Sequence, residues 1–179
     1  MKYPLRLTAK AKKIKMIVMD VDGVLTGGEI LIFDSGGEIK IWNVKDRLAF
    51  HLVHRSGSGI KLAWITGRSS QQVADRAKEI GIDEFYQGVM EKKTAYEEIL
   101  RNNKLKPEET VFIGDDLIDI PVLKLAGLSV CPKDAPEEVK KAVDYISPLA
   151  GGKGVLREVV ELVLKTRGFW KAAVKGYID

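Results

Sequence analysis

Short apolar runs rich in Val and Ile alternate along the chain with segments whose apolar residues recur at helical spacing. That alternation is the pattern of βα units stacked around a mainly parallel sheet. Strand-like runs fall at 16–20, 60–66, 84–86, 110–113, 128–130 and 144–146, and each but the last is followed by a loop and a helical segment. Helices are predicted near 46–56, 92–103, 118–126, 136–142 and 155–167. The helix after Thr66 is marked most clearly: Ser69 and Gln72 have capping-box spacing, Val73, Ala77 and Ile80 share a face, and Gly81 stands where a stop belongs. One segment breaks the alternation. Residues 29–33 and 38–42 read as two strands joined by Asp34-Ser35-Gly36-Gly37, a β-hairpin placed directly after the first strand's loop. The fold class is therefore α/β, a three-layer, Rossmann-like, mainly parallel sheet with one protruding β-hairpin.

Composition adds limits. A chain of 179 residues that is 45% hydrophobic reads as a single domain over 1–179, with a basic N-terminal arm at 1–13, the hairpin at 29–42 and a C-terminal tail at 165–179. The excess of 29 basic over 25 acidic residues comes from the leader, where Lys2, Arg6, Lys10, Lys12, Lys13 and Lys15 occur with no acid. From Met16 onward the balance is 23 basic against 25 acidic residues, net −2, which argues against a nucleic-acid face. No apolar run approaches the roughly 20 residues of a membrane helix, and no apolar segment follows the leader to make it a secretory signal. Cys131 stands alone, so no internal disulfide forms and a cytoplasmic location is expected.

Ligands of an open parallel sheet bind beyond the carboxyl ends of its strands, and there this sequence places its polar residues. The first strand runs into Asp20-Val21-Asp22-Gly23, the second ends in Thr66-Gly67-Arg68, Lys92 opens a helix, and the strand at 110–113 runs into Gly114-Asp115-Asp116. Carboxylates about 4 Å apart repel by roughly 4 kcal/mol at an effective dielectric near 20, so gathering Asp20, Asp22 and Asp115 calls for a cation between them. A site with few protein ligands suits Mg²⁺. His51 and His54 have no third ligand near them in the pattern and do not suggest zinc. Taken singly, each motif is ordinary turn or capping chemistry; together on successive strand ends they read as one site.

In these four motifs, Asp20-Val21-Asp22-Gly23, Thr66, Lys92 and Gly114-Asp115-Asp116, the sequence resembles the haloacid dehalogenase-like phosphotransferases. Their spacing fits a member without a cap domain. Asn43-Val44-Lys45-Asp46, Ile65-Thr66-Gly67-Arg68, Asp75-Arg76, Tyr86-Gln87-Gly88 and Gly151-Gly152-Lys153-Gly154 make it similar to the 3-deoxy-D-manno-octulosonate 8-phosphate phosphatases. The resemblance implies a Mg²⁺-dependent phosphomonoesterase of lipopolysaccharide precursor synthesis. Asp20 would be the nucleophile that forms an aspartyl-phosphate and Asp22 the general acid and base; Thr66 and Lys92 would hold the phosphoryl group. Asp20, the Asp22 carbonyl and Asp115 would hold the metal, with Asp116 and Asp119 in support. Asp22, Asn43, Lys45, Asp46, Thr66, Gly67, Arg68, Arg76 and Lys92 would meet the substrate, a small phosphorylated sugar acid. The pattern departs from the family at Lys45 and Arg47, which stand for Arg and Gly, at Gly27-Gly28, which stands for Asp-Gly, at Lys153, which stands for Arg, and in a turn at 55–59 about two residues longer. Lys cannot copy a bidentate Arg clamp.

A nine-carbon, sialic-type acid 9-phosphate is the alternative substrate. A phospho-receiver domain is a different class, and it wants two adjacent acids on the first strand where this chain has Asp20 and Asp22 astride Val21. Ile30, Ile32, Phe33, Ile39, Ile41 and Trp42 put much apolar surface on the hairpin. The resemblance implies a homotetramer in which hairpins, the 151–154 loop and C-terminal segments of neighbours roof each site.

Overall fold

The computed structural model describes residues 3–34 and 36–178. Met1 and Lys2 of the leader, Ser35 of the hairpin turn and Asp179 of the tail lie outside that range. Six parallel strands form one sheet: β1 (Met16–Met19), β4 (Lys61–Thr66), β5 (Glu84–Gln87), β6 (Thr110–Ile113), β7 (Leu128–Cys131) and β8 (Tyr145–Ile146), in the order β5-β4-β1-β6-β7-β8. β1 sits at the centre and its four residues are all buried, as a strand covered on both faces requires. Alternate side chains feed two cores. Ile17, Met19, Leu62, Trp64, Val111 and Ile113 pack with α1 (Leu5–Ala11), α2 (Val44–Arg55), α7 (Val155–Thr166) and α8 (Trp170–Val174). Met16, Val18, Ala63, Ile65 and Phe112 pack on the other face with α4 (Lys92–Asn103), α5 (Ile120–Leu123) and α6 (Glu137–Lys140). This is the three-layer, mainly parallel α/β arrangement expected, with no separate cap.

Several local expectations shift. The helix α3 (Gln71–Ile80) is stopped by left-handed Gly81 as expected, but Ser70 is its N-cap and no side-chain cap bond forms. Ser70 Oγ goes to Gln72 Oε1 at 3.0 Å. The helix expected over 118–126 is a 3₁₀ turn (Leu117–Asp119) followed by the single turn of α5, with Pro121 in its first turn. The basic leader is not a free arm: over Leu5–Ala11 it is helical, Leu7 and Ala11 are buried, and Arg6 and Lys10 reach Asp144 at 2.9 and 2.5 Å. The tail likewise carries α8, with Ala173 and Val174 buried. Both segments have only two or three apolar residues at helical spacing, too few to stand out against a basic background.

The hairpin is shorter than its sequence pattern. β2 (Leu31–Ile32) and β3 (Glu38–Ile39) pair antiparallel, Leu31 with Ile39 and Ile32 with Glu38. Its root is fixed by Trp42, which stacks on the fully buried Trp64 with ring centres 5.6 Å apart. Among the described residues no helix is long and apolar enough to cross a membrane.

Candidate active site

The carboxyl ends of β1, β4 and β6 lie side by side because these strands are neighbours in the sheet. Asp20 follows the last residue of β1, and its N–H donates to the Ile113 carbonyl at 2.9 Å, so the sheet ladder holds its backbone. Gly23 then turns the chain with φ +96°, and a Cβ there would lie 1.9 Å from Asp115 Oδ2. Only glycine permits that approach of the β1 loop to the β6 loop.

Lys92, the first residue of α4, is buried and binds two acids at once: Nζ donates to Asp20 Oδ1 and to Asp119 Oδ1, both at 2.7 Å. The other oxygen of Asp119 accepts from the N–H groups of Asp115 and Asp116 at 2.9 and 3.2 Å, which ties the loop after β6. Asp116 points elsewhere and caps the 3₁₀ turn through Leu117 N. Ligand oxygens of Asp20, Asp115 and Asp119 lie within 4.8 Å of one another. Three acids thus surround one buried cation, and two negative charges are left over when all three are ionised.

The electrostatics record that surplus. Burial would depress the Lys92 ammonium, but Asp20 and Asp119 more than offset it and hold it above the ordinary lysine range. Burial, opposed by Lys92 and aided by Asp119, raises Asp20 to about 6. Burial together with the facing Asp20 and Asp119 carboxylates pushes Asp115 to about 9. Its Oδ1 is buried without a hydrogen-bond partner, while the other acids of the cluster are occupied by Lys92 and backbone N–H groups. A buried carboxylate oxygen without a partner, beside a second acid, fits a hard divalent cation, which reverses the cost of bringing the charges together.

Thr66, the last residue of β4, is buried beside this cluster in the sheet, and its Oγ1 accepts from Arg68 N at 3.4 Å. A Cβ at Gly67 would lie 3.1 Å from Met90 Sδ. The remaining expected residues divide. Asp22 meets Lys40 of the hairpin, whose Nζ donates to both carboxylate oxygens, at 2.6 Å to Oδ2. Arg68 Nη2 reaches Glu38 Oε2 at 3.1 Å. Arg76 bonds Glu79 Oε2 at 2.6 Å and lies over the Trp42 ring at 5.8 Å, so it braces the root of the hairpin. Asn43 caps α2 through Lys45 N and donates to the Gly152 carbonyl at 2.9 Å. Asp46 is buried against the start of α7, where its Oδ1 accepts from Arg157 N at 2.9 Å. Expected as sugar contacts, Asn43 and Asp46 here join α2 to the 151–154 loop and α7. Lys45 lines a surface groove with Lys153 and Arg157. Glu38 and Lys40 were missed by sequence reasoning. The signal available was the alternation Glu38-Ile39-Lys40-Ile41, which sets both charges on one face of the strand.

The chain is similar over most of its length to known proteins. A sequence-family model described as haloacid dehalogenase-like hydrolase matches residues 84–159. The 3-deoxy-D-manno-octulosonate 8-phosphate phosphatase KdsC of Escherichia coli K12 is 40% identical over 160 residues, 89% of this chain and 84% of that protein. The crystal structure of the corresponding phosphatase from Moraxella catarrhalis, in complex with a magnesium ion, a phosphate ion and a KDO molecule, superposes with a TM-score of 0.93 at 37% identity, covering 98% of this chain and 99% of the other. A probable YrbI family phosphatase from Pseudomonas syringae gives a TM-score of 0.94 at 35% identity with the same coverage. These matches, over a mainly parallel six-stranded sheet, place the chain in the class of haloacid dehalogenase-like hydrolases. Within that class, the chain belongs to the family of 3-deoxy-D-manno-octulosonate 8-phosphate phosphatases.

Proposed function

We propose that the protein hydrolyses 3-deoxy-D-manno-octulosonate 8-phosphate to the free sugar acid and phosphate, with Mg²⁺ as cofactor. The observation that carries this reading is the buried cluster of Asp20, Asp115 and Asp119 around Lys92, with Asp115 Oδ1 unpartnered, in a chain 40% identical to KdsC. Asp20, Asp115 and the Asp22 carbonyl would hold Mg²⁺. The bound ion would draw charge from the phosphoryl oxygens and orient the ester against Asp20.

Asp20 attacks phosphorus and carries the phosphoryl group as an acyl phosphate while the sugar oxygen leaves. Lys92 faces the charge that develops on the phosphoryl oxygens from within a buried site, where a fixed cation is worth more than in water. Thr66 Oγ1 donates to a second oxygen. Asp22 protonates the leaving oxygen and then takes a proton from the water that opens the acyl phosphate. Asp119 touches no reacting atom in this scheme; it fixes Lys92 on one side and the Asp115 loop on the other.

The assembly is read as a homotetramer, and the hairpin supports it: Leu31, Ile32 and Ile41 are 59%, 69% and 72% exposed, on an element of two short strands. A surface of that kind calls for a partner. Ile41→Asp should shift the sedimented mass from about four times 19.9 kDa to one; an unchanged mass would remove the hairpin from the interface. The lone buried Cys131 supports a cytoplasmic site of action. The function itself is tested by phosphate release across sugar acid phosphates with and without Mg²⁺. Preferred, Mg²⁺-dependent turnover of the eight-carbon substrate is expected, and preference for a nine-carbon acid would overturn the assignment.

A further inference from the structure

Sequence alternation in β3 and the residues after it sends Ile39 and Ile41 outward and turns Glu38 and Lys40 toward the crevice. The Lys40 side chain is only 2% exposed, and it donates to both oxygens of Asp22. Glu38 stands 3.9 Å from the same ammonium and is itself taken by Arg68 at 3.1 Å, while its Oε1 has no hydrogen-bond partner. Four charges of alternating sign, Arg68, Glu38, Lys40 and Asp22, therefore cross the mouth of the site. A carboxylate with both oxygens on one ammonium is in no position to hand a proton to a leaving oxygen or to take one from water. Asp22 has to leave Lys40 before it works. Its departure would strand a buried ammonium, which is strongly unfavourable unless another anion arrives.

We propose that Lys40 is a specificity-determining residue that restrains Asp22 until a second anion on the substrate, the carboxylate of a phosphorylated sugar acid, takes Asp22's place on the ammonium. This rests on the reading of the crevice as a sugar-acid phosphate site. A phosphomonoester whose leaving group carries no second anion has nothing to offer Lys40, so Asp22 stays tied in both halves of the reaction. The sugar acid releases it by binding. Arg68, next in the same row of charges, is the second cation within reach of that carboxylate.

The test compares wild type with Lys40→Met and Lys40→Gln on 3-deoxy-D-manno-octulosonate 8-phosphate and on p-nitrophenyl phosphate, with saturating Mg²⁺ and thermal melts to check the fold. With Lys40→Met, KM for the sugar acid phosphate should rise about tenfold or more from loss of the charge pair. The same substitution should raise kcat on p-nitrophenyl phosphate by about threefold or more, because Asp22 is free to act as base. Lys40→Arg should restore KM toward wild type and leave p-nitrophenyl phosphate slow. Equal losses on both esters with Lys40→Met and Lys40→Gln would overturn the proposal, and so would a kcat on p-nitrophenyl phosphate that fails to rise. Wild-type inactivity on the eight-carbon substrate would instead overturn the substrate reading, and the kcat change on p-nitrophenyl phosphate would still decide whether Lys40 restrains Asp22.

Discussion

The two halves of the crevice are built in opposite ways. The floor is set on β1, β4 and β6 at the middle of the sheet, where buried Lys92 is shared between buried Asp20 and Asp119, with half-buried Asp115 beside them. The rim is a hairpin of two two-residue strands, anchored through Trp42 on Trp64 and through exchangeable ion pairs from Arg68 and Lys40. Groups that must meet a reacting phosphorus within tenths of an ångström belong on elements that cannot move without disturbing the core. Groups that must admit and release a sugar belong on elements that can. In the proposed reaction the floor would carry the attack on phosphorus, and the rim the choice of substrate.

The strongest way to break this division is at the floor. Asp20→Asn keeps the size of the side chain and removes the nucleophile, so phosphate release should fall by about four orders of magnitude. Its melting temperature should hold or rise, since one acid of a mutually repelling cluster is gone. Activity within tenfold of wild type would contradict the nucleophile. Lys92→Met tests the cost of the cluster itself. It leaves buried carboxylates with no cation, and urea unfolding without metal should show a loss of about 3–5 kcal/mol.

Between floor and rim stands the joint of α2 and α7. Burial raises Asp46 to about 6 despite the backbone N–H groups of Arg157, Gly154 and Leu156 that favour its ionised form. A raised carboxyl binds its proton more tightly in the folded protein. Its contribution is present below the unfolded value near 4 and is lost as pH rises through about 6. Asp46→Asn keeps the acceptor for Arg157 and does not titrate. Relative to wild type it should gain stability across that window, by about 3 kcal/mol at most, and stay level above it. A difference that does not vary with pH would remove Asp46 as a titrating group.

The rim should give the smaller, selective effects. Arg68→Ala should lower kcat/KM for the sugar acid phosphate by about one to two decades, with a lesser loss on p-nitrophenyl phosphate, which has no second anion. Arg76→Ala should cost less than Arg68→Ala, because Arg76 is engaged by Glu79 and Trp42 at the hairpin root. Losses of equal size on both esters would place these arginines with the floor.

Sequence reasoning reached the floor because its residues sit at fixed points in a strong pattern. Strand ends are marked by the passage from buried Val and Ile to Asp, Thr or Gly, and a parallel sheet brings successive ends together whatever the loops do. The six strands were legible for the same reason. The rim was not, since Lys40 reaches Asp22 only through the bend of a hairpin whose register depends on a four-residue turn. Asn43 and Asp46 are expected as substrate contacts, and in the fold they also join α2 to the 151–154 loop and α7, a structural duty that a polar residue at a helix start does not announce. Only the placement of α7 decides that Asp46 spends its carboxylate on Arg157 N. The leader's helix was hidden by its charges, which serve Asp144 rather than a distant partner.

The central claim is that Asp20, held by Lys92 on the rigid floor, takes the phosphoryl group from an acidic sugar phosphate. The most direct measurement is a rapid quench of the Mg²⁺-loaded enzyme with 3-deoxy-D-manno-octulosonate 8-phosphate carrying a labelled phosphate. The account predicts transient protein-bound label that hydroxylamine releases, as an acyl phosphate requires, and that is absent in Asp20→Asn. Free phosphate appearing with no protein-bound label, or label persisting in Asp20→Asn, would contradict it.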